Sequence, residues 1–198
     1  DIVREADMVI VCTGFNARTE TEGRDRSFAM GDGLDEFVER MAGINPNTVV
    51  VLTAGGNVDM RLWYDKVRAV MMAWYPGQAG GQAVAETLFG AINPCGKLPA
   101  TFEEKLEDRS SYSCYHDDDN DKRVSLDDGI FTGYGHVDKY KAPVRFPFGF
   151  GLSYTTFSYR NLTLSRKTMT ARGSLTVSFD MVNTGRVAGA DVAQVYVT

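Results

Sequence analysis

Three short, almost uninterrupted apolar runs constrain this chain more than any other feature: residues 8–12, 48–52 and 69–74. A strand with one wet face alternates apolar and polar residues. A continuous run is what a parallel strand covered on both faces requires. Between the first two runs, Leu34, Phe37, Val38 and Met41 recur at helical spacing, and Gly43 suits the left-handed position just past a helix end. After the third, residues 82–89 read as a helix with Val84, Ala85 and Leu88 inward, closed by Gly90 and followed by Pro94. Strand and helix in alternation predict an α/β fold. The expected form is a mainly parallel sheet flanked by helices (an α/β sandwich), with right-handed crossovers and a doubly wound order.

The pattern then changes. Residues 103–144 are polar and charge-rich, with isolated aromatics, and read as long loops with short elements. Beyond Tyr159 the apolar period falls to two, Leu175, Val177, Phe179 and Met181 alternating with Thr176, Ser178 and Asp180. The reading is therefore two regions: an α/β domain over 1–158 and a short all-β segment over 159–198. Some 40 residues are available to the second, against about 100 for a fibronectin-like sandwich, so that segment is expected to be incomplete.

With 198 residues the chain suffices for one α/β domain and an appendage. A net charge of -5 with dispersed lysines and arginines offers no basic stripe, which argues against nucleic acid as a partner. No apolar run approaches the roughly 20 residues of a membrane helix. Cys12, Cys95 and Cys114 are odd in number and show no C-x-x-C spacing, so neither a zinc site nor a disulfide framework is indicated, and buried free thiols are expected. The acidic run Asp117, Asp118, Asp119, Asn120, Asp121 has oxygens in the manner of a calcium loop, but Lys122 stands where the required glycine would be. A solvated loop is expected there, with no metal and no cofactor. Trp74 to Gly81 forms a glycine-rich turn that lacks both G-x-G-x-x-G and a G-K-[ST] ending, so a nucleotide site is not expected. Gly77, Gly80 and Gly81 are expected to permit tight turning and close packing, and Gly149 and Gly151 to adopt positive φ. With His116 and His136 the only histidines, a Ser-His-Asp constellation has little to build on.

Ligands of open parallel sheets gather beyond the carboxyl ends of the strands, which directs attention to the segment after Cys12. It carries Arg18, Glu20, Glu22, Arg24, Asp25 and Arg26 within nine residues. Two carboxylates among arginines can supply a general acid tuned by its neighbours, although a solvated charged loop is the commoner outcome for such spacing.

The pentapeptide Glu22-Gly23-Arg24-Asp25-Arg26 resembles the E-G-x-D-R segment of family 3 glycoside hydrolases, placed as in that family after the first strand. Further matches follow in the family's order. These are Trp74-Tyr75-Pro76-Gly77-Gln78 with Gly80 and Gly81, Asn93-Pro94 through Gly96-Lys97-Leu98-Pro99 to Thr101-Phe102, and Asp128-Gly129-Ile130-Phe131. The last, Phe146-Pro147-Phe148-Gly149-Phe150-Gly151-Leu152-Ser153-Tyr154-Thr155-Thr156-Phe157, closely resembles the F-P-F-G-x-G-L-S-Y-T-x-F signature of that family.

The resemblance implies retaining hydrolysis of β-linked sugars by a β-glucosidase-type enzyme, with carbohydrate as the substrate. It implies that the nucleophilic Asp lies in a preceding (β/α)8 barrel, a partner of this domain that no segment here resembles, and that the α/β domain supplies the acid/base Glu. By the motif that residue is Glu22, with Glu20 as fallback. Arg24, Asp25 and Arg26 are expected to support the loop, and Trp74 to offer an aromatic face to the sugar. A β-xylosidase or arabinofuranosidase, or a non-catalytic module that stabilises a barrel or binds carbohydrate, fits the same pattern. Asn161-Leu162-Thr163 has the form of a glycosylation acceptor, a tripeptide that also arises by chance.

Overall fold

The computed structural model describes residues 2–115 and 120–196. These residues gather into two compact units, Asp1–Val84 with Leu98–Gly149, and Ala85–Lys97 with Phe150–Thr198. The first unit opens with the short helix α1 (Ile2–Glu5), strand β1 (Val9–Gly14), helix α2 (Leu34–Ile44) and strands β2 (Thr48–Thr53) and β3 (Ala69–Met72). All three strands pair in parallel in the order β1-β2-β3, with Val11 opposite Val50 and Val50 opposite Val70. The order runs without reversal. Among the described strands the sheet is therefore parallel but not doubly wound, because a doubly wound sheet needs a switch point where the order turns back.

β2 is central, and its first five residues are buried, in keeping with the unbroken apolar run. Val50 and Leu52 point to the face where α2 packs, and with Val11, Val38, Met41, Trp63 and Phe102 they form one core cluster. On the opposite face Ile10 and Cys12 of β1 stand exposed. Two expectations are corrected here: β1 is covered on one face only, and the thiols are free but not buried. Cys12 lies on the uncovered face, Cys95 in an exposed connection, and Cys114 is half-buried.

Helix α2 buries Val38 and Met41, while Phe37 projects to solvent at 41% exposure. Gly43 lies inside the helix, which ends at the extended Asn45, so the glycine is not the left-handed terminator. Instead Asn45 donates to the carbonyls of Val3 and Ala6 and ties α1 to this end. At the other end, Asp35 is buried and accepts from the Met30 amide and from Trp63 Nε1, both at 2.8 Å. Trp63 is wholly enclosed, so its N–H needs this partner.

Helix α3 (Gly80–Leu88) is followed by Gly90 at φ 79, as the glycine signal predicts. Val84 and Leu88 are half-buried on it, whereas Ala85 is exposed. Gly77 has φ 69, a conformation that favours glycine, and a Cβ on Gly80 would lie 2.4 Å from Pro76 Cγ, where only glycine fits without a shift. Gly81 has open space around it and no such need.

The first unit closes with strand β4 (Phe102–Glu103), helix α4 (Tyr134–Tyr140) and strand β5 (Val144–Phe146), β4 and β5 pairing antiparallel. This matches the loops with short elements read from 103–144. The acidic run at 117–119 and His116 lie outside the described residues.

In the second unit, β6 (Phe157–Leu164) and β7 (Val177–Asn183) form an antiparallel pair whose register shifts between Arg160 and Thr163. Asn161 sits in that bulge at φ 54 and donates to Asp180. Lys97 donates to the Gly151 carbonyl at 2.6 Å and pairs with Asp191 at 2.9 Å, and Tyr159 donates to the same aspartate. Gly149 has φ 80, but Gly151 is required for another reason: a Cβ there would lie 2.2 Å from the Gly96 carbonyl oxygen.

Candidate active site

The carboxyl ends of β1, β2 and β3 lie side by side, and the loop leaving each supplies part of one polar constellation. After β1 the chain turns at Asn16, whose side chain accepts from the Arg18 amide at 2.8 Å and whose carbonyl accepts from the Glu20 amide at 2.9 Å. That turn brings Glu20 back over the sheet.

The Glu20 carboxylate is then held by three donors. Arg26 Nε donates to Oε1 at 2.8 Å, the Gly55 amide donates to Oε2 at 3.0 Å, and the Tyr75 hydroxyl donates to Oε2. Gly55 follows β2 and Tyr75 follows β3, so one carboxylate joins all three strand ends. Arg26 is itself fixed: Nη2 donates to the Asn57 carbonyl at 2.6 Å, and its guanidinium lies 4.3 Å from the centre of the Phe15 ring. Gly55 is needed for this approach, because a Cβ there would meet Glu20 Oε1 at 2.9 Å and the Tyr75 ring at 3.3 Å.

Partial burial pushes the Glu20 pKa up, but the bonds from Tyr75, Gly55 and Arg26 together outweigh it and hold it below 4.5. The tyrosine moves the other way: desolvation and its bond to the ionised Glu20 raise the Tyr75 hydroxyl to about 12, so it remains a donor at neutral pH.

Glu22 stands two residues further on, in a different setting. Thr21 and Arg24 bridge across a tight turn, and Gly23 takes φ 74, a conformation that favours glycine. Glu22 occupies the tip, exposed, with no hydrogen bond or ion pair among the described residues. Arg24 Nε donates to Thr21 Oγ1 at 3.3 Å within the same turn. Asp25 is exposed and, with Arg18, Arg24 and Arg26, lines an open pocket of about 280 Å³ that Phe15 and Met30 floor.

Trp74 is half-buried at the rim of the core and meets Phe102 edge-on at 6.0 Å. Its backbone takes φ 54, uncommon for a large aromatic residue. Tyr75, Gly55 and Asn57 were not singled out by sequence. Tyr75 is adjacent to Trp74 in the W-Y-P-G-Q segment, but its reach to Glu20 depends on β3 lying beside β2. Among the described residues no group of His, Cys, Asp and Glu is arranged to hold a metal, and no helix is long and apolar enough to cross a membrane.

The first unit thus presents a charged loop at the carboxyl edge of a parallel sheet, and small antiparallel sheets follow along the chain. Residues 1–154 match the glycosyl hydrolase family 3 C-terminal domain, and the chain belongs to that family. It is 42% identical over 209 residues to β-glucosidase B of Emericella nidulans and 43% identical over 202 residues to a β-glucosidase of Rhizobium radiobacter. Those alignments cover 99% and 100% of this chain. Among solved structures it resembles the Bifidobacterium adolescentis GH3 β-glucosidase, with a TM-score of 0.85 and 32% identity over 92% of the chain. It likewise resembles β-glucosidase 3B of Thermotoga neapolitana, with a TM-score of 0.85 and 30% identity over 95% of the chain. The chain spans about a quarter of the curated relatives it matches, 24% in each of these two cases, and 27% of each of these two structures.

Proposed function

We propose that this chain is the acid/base-bearing part of a retaining β-glycosidase of the β-glucosidase type, acting on terminal β-linked glucose or a related sugar. The observation that carries the reading is the contrast between two neighbouring carboxylates. Glu20 is an ionised acceptor committed to three donors and has no proton to give. Glu22, on a turn anchored by that same residue, presents an unpaired carboxyl group to solvent beyond the strand ends.

In the reaction, protonated Glu22 donates to the glycosidic oxygen as the bond to the anomeric carbon breaks and the alcohol departs. The nucleophilic carboxylate, supplied by the barrel that the family resemblance implies, forms the glycosyl ester. Glu22, now a carboxylate, takes a proton from the water that attacks the ester's anomeric carbon, and the sugar leaves with retained configuration. Such a pair works when the two carboxyl groups stand roughly 5–5.5 Å apart. Arg24, Asp25 and Arg26 frame the loop, and Trp74 lies on the same edge of the sheet.

The test is hydrolysis of an aryl β-glucoside by this chain mixed with the separately produced barrel. Activity only in the mixture, lost with Glu22→Gln and restored by azide, supports a site divided between the two parts. Activity of the chain alone, or an unimpaired Glu22→Gln, refutes it.

A further inference from the structure

We propose that Tyr75 is a positioning residue for general acid catalysis, fixing the Glu22 turn through the Glu20 carboxylate. This rests on the reading of Glu22 as the acid/base and names a residue on another strand end that makes the reading work. Among the described residues, the hydrogen bonds of the turn bearing Glu22 are local: the Thr21–Arg24 bridge and the Arg24 bond to Thr21. Its connection to the sheet runs through the two residues that bracket it, Glu20 and Arg26, which bond to each other and then to Gly55, Asn57 and Tyr75.

Of those partners, Gly55 and Asn57 contribute backbone atoms, an amide N–H and a carbonyl. Tyr75 contributes a side chain, and among the described residues it is the link from Glu20 to the end of β3. Just past the end of β3, Trp74 takes a left-handed backbone and packs its indole against Phe102 at the core rim, while the neighbouring phenol, 53% exposed, donates to Glu20. A large aromatic residue adopts that conformation only where the surroundings impose it. The phenol keeps its proton at neutral pH, so the bond is a constant feature of the working range.

In the step that forms the glycosyl ester, a proton donor displaced by a fraction of an ångström loses rate only where the leaving group needs a proton. Tyr75→Phe deletes one hydroxyl and preserves the ring. In the full-length enzyme, kcat/KM, which reports the step that forms the glycosyl ester, is measured across aryl β-glucosides of graded leaving-group pKa. For poor leaving groups kcat/KM is expected to fall about tenfold, the scale of one lost hydrogen bond to a charged group. For a dinitrophenyl glucoside, which departs without protonation, kcat/KM is expected to be unchanged. Combined with Glu22→Gln, Tyr75→Phe is expected to add nothing for poor leaving groups, because the group it positions is gone.

A uniform loss across all leaving groups, no loss, or full additivity with Glu22→Gln overturns the positioning role. If Glu22→Gln itself shows no leaving-group selectivity, the acid/base assignment falls and this proposal falls with it. If Glu22→Gln is selective and Tyr75→Phe is not, only the proposal falls. Glu20→Gln, which keeps an acceptor for Tyr75 but loses the charge that holds Arg26, is expected to show the same leaving-group selectivity with an unchanged near-UV spectrum.

Discussion

Removing the Asp35 carboxylate should unlock the core beneath the site. Asp35 lies on the first turn of α2 and joins the otherwise separate loop at Met30 to the enclosed Trp63, accepting two bonds of 2.8 Å. Met30 and Trp63 are 3% and 0% exposed, so water does not replace a lost acceptor. In Asp35→Ala two buried N–H groups lose their partner, at about 1–3 kcal/mol each. Relief of the carboxylate's own desolvation offsets part of this, leaving a loss of about 3 kcal/mol. Asp35→Asn retains one acceptor oxygen but turns an amide N–H₂ toward the second donor, and should cost roughly half as much. Equilibrium unfolding in urea followed by circular dichroism measures both. With a slope of about 2 kcal/mol per molar, Asp35→Ala lowers the midpoint by about 1.5 M. Trp63→Phe removes the indole donor, so Asp35→Ala in that background should cost at least about 1 kcal/mol less than alone. Strict additivity of the two changes, or a midpoint shift below about 0.3 M for Asp35→Ala, would refute the account of Asp35 as the acceptor that closes this core.

The Glu20 clamp should make stability depend on acid. Its folded pKa lies below the 4.5 of a free carboxyl, so the unfolded chain binds the proton more readily, and the contribution is full above that value and lost as pH falls through the folded pKa. The stability gap between the native sequence and Glu20→Gln should therefore be widest near neutral pH and close under acid; a gap that widens in acid would contradict the assignment. Gly14→Ala should fail to give folded protein or cost more than about 3 kcal/mol, because Gly14 has φ 137 and a Cβ would lie 1.9 Å from the Thr53 carbonyl oxygen. Ordinary thermal stability of that variant would show that the ends of β1 and β2 are not packed as described.

Periodicity alone made the α/β region legible, since a parallel strand buried on both faces reads as a nearly continuous apolar run, and residues 49–52 of β2 form one. The same logic found the switch to antiparallel strands, because a half-wet ribbon alternates. It failed where burial depends on what covers a surface: Phe37, Ala85, Ile10 and Cys12 look like core residues and are not. Glycines marked the turns correctly at Gly77, Gly90 and Gly149, but Gly43 sits within a helix, and Gly151 is demanded by a carbonyl brought close by folding. The E-G-x-D-R motif directed attention to the loop after β1, a local feature whose residues are neighbours in sequence. What separates Glu20 from Glu22 is not local. Gly55 and Tyr75 lie 35 and 55 residues from Glu20 along the chain, and only the parallel order of three strands brings their donors to one carboxylate. Hydrogen-bond donors converging from separate strand ends leave no periodic trace in a sequence, so tertiary structure alone decided which glutamate is tied down and which stands free.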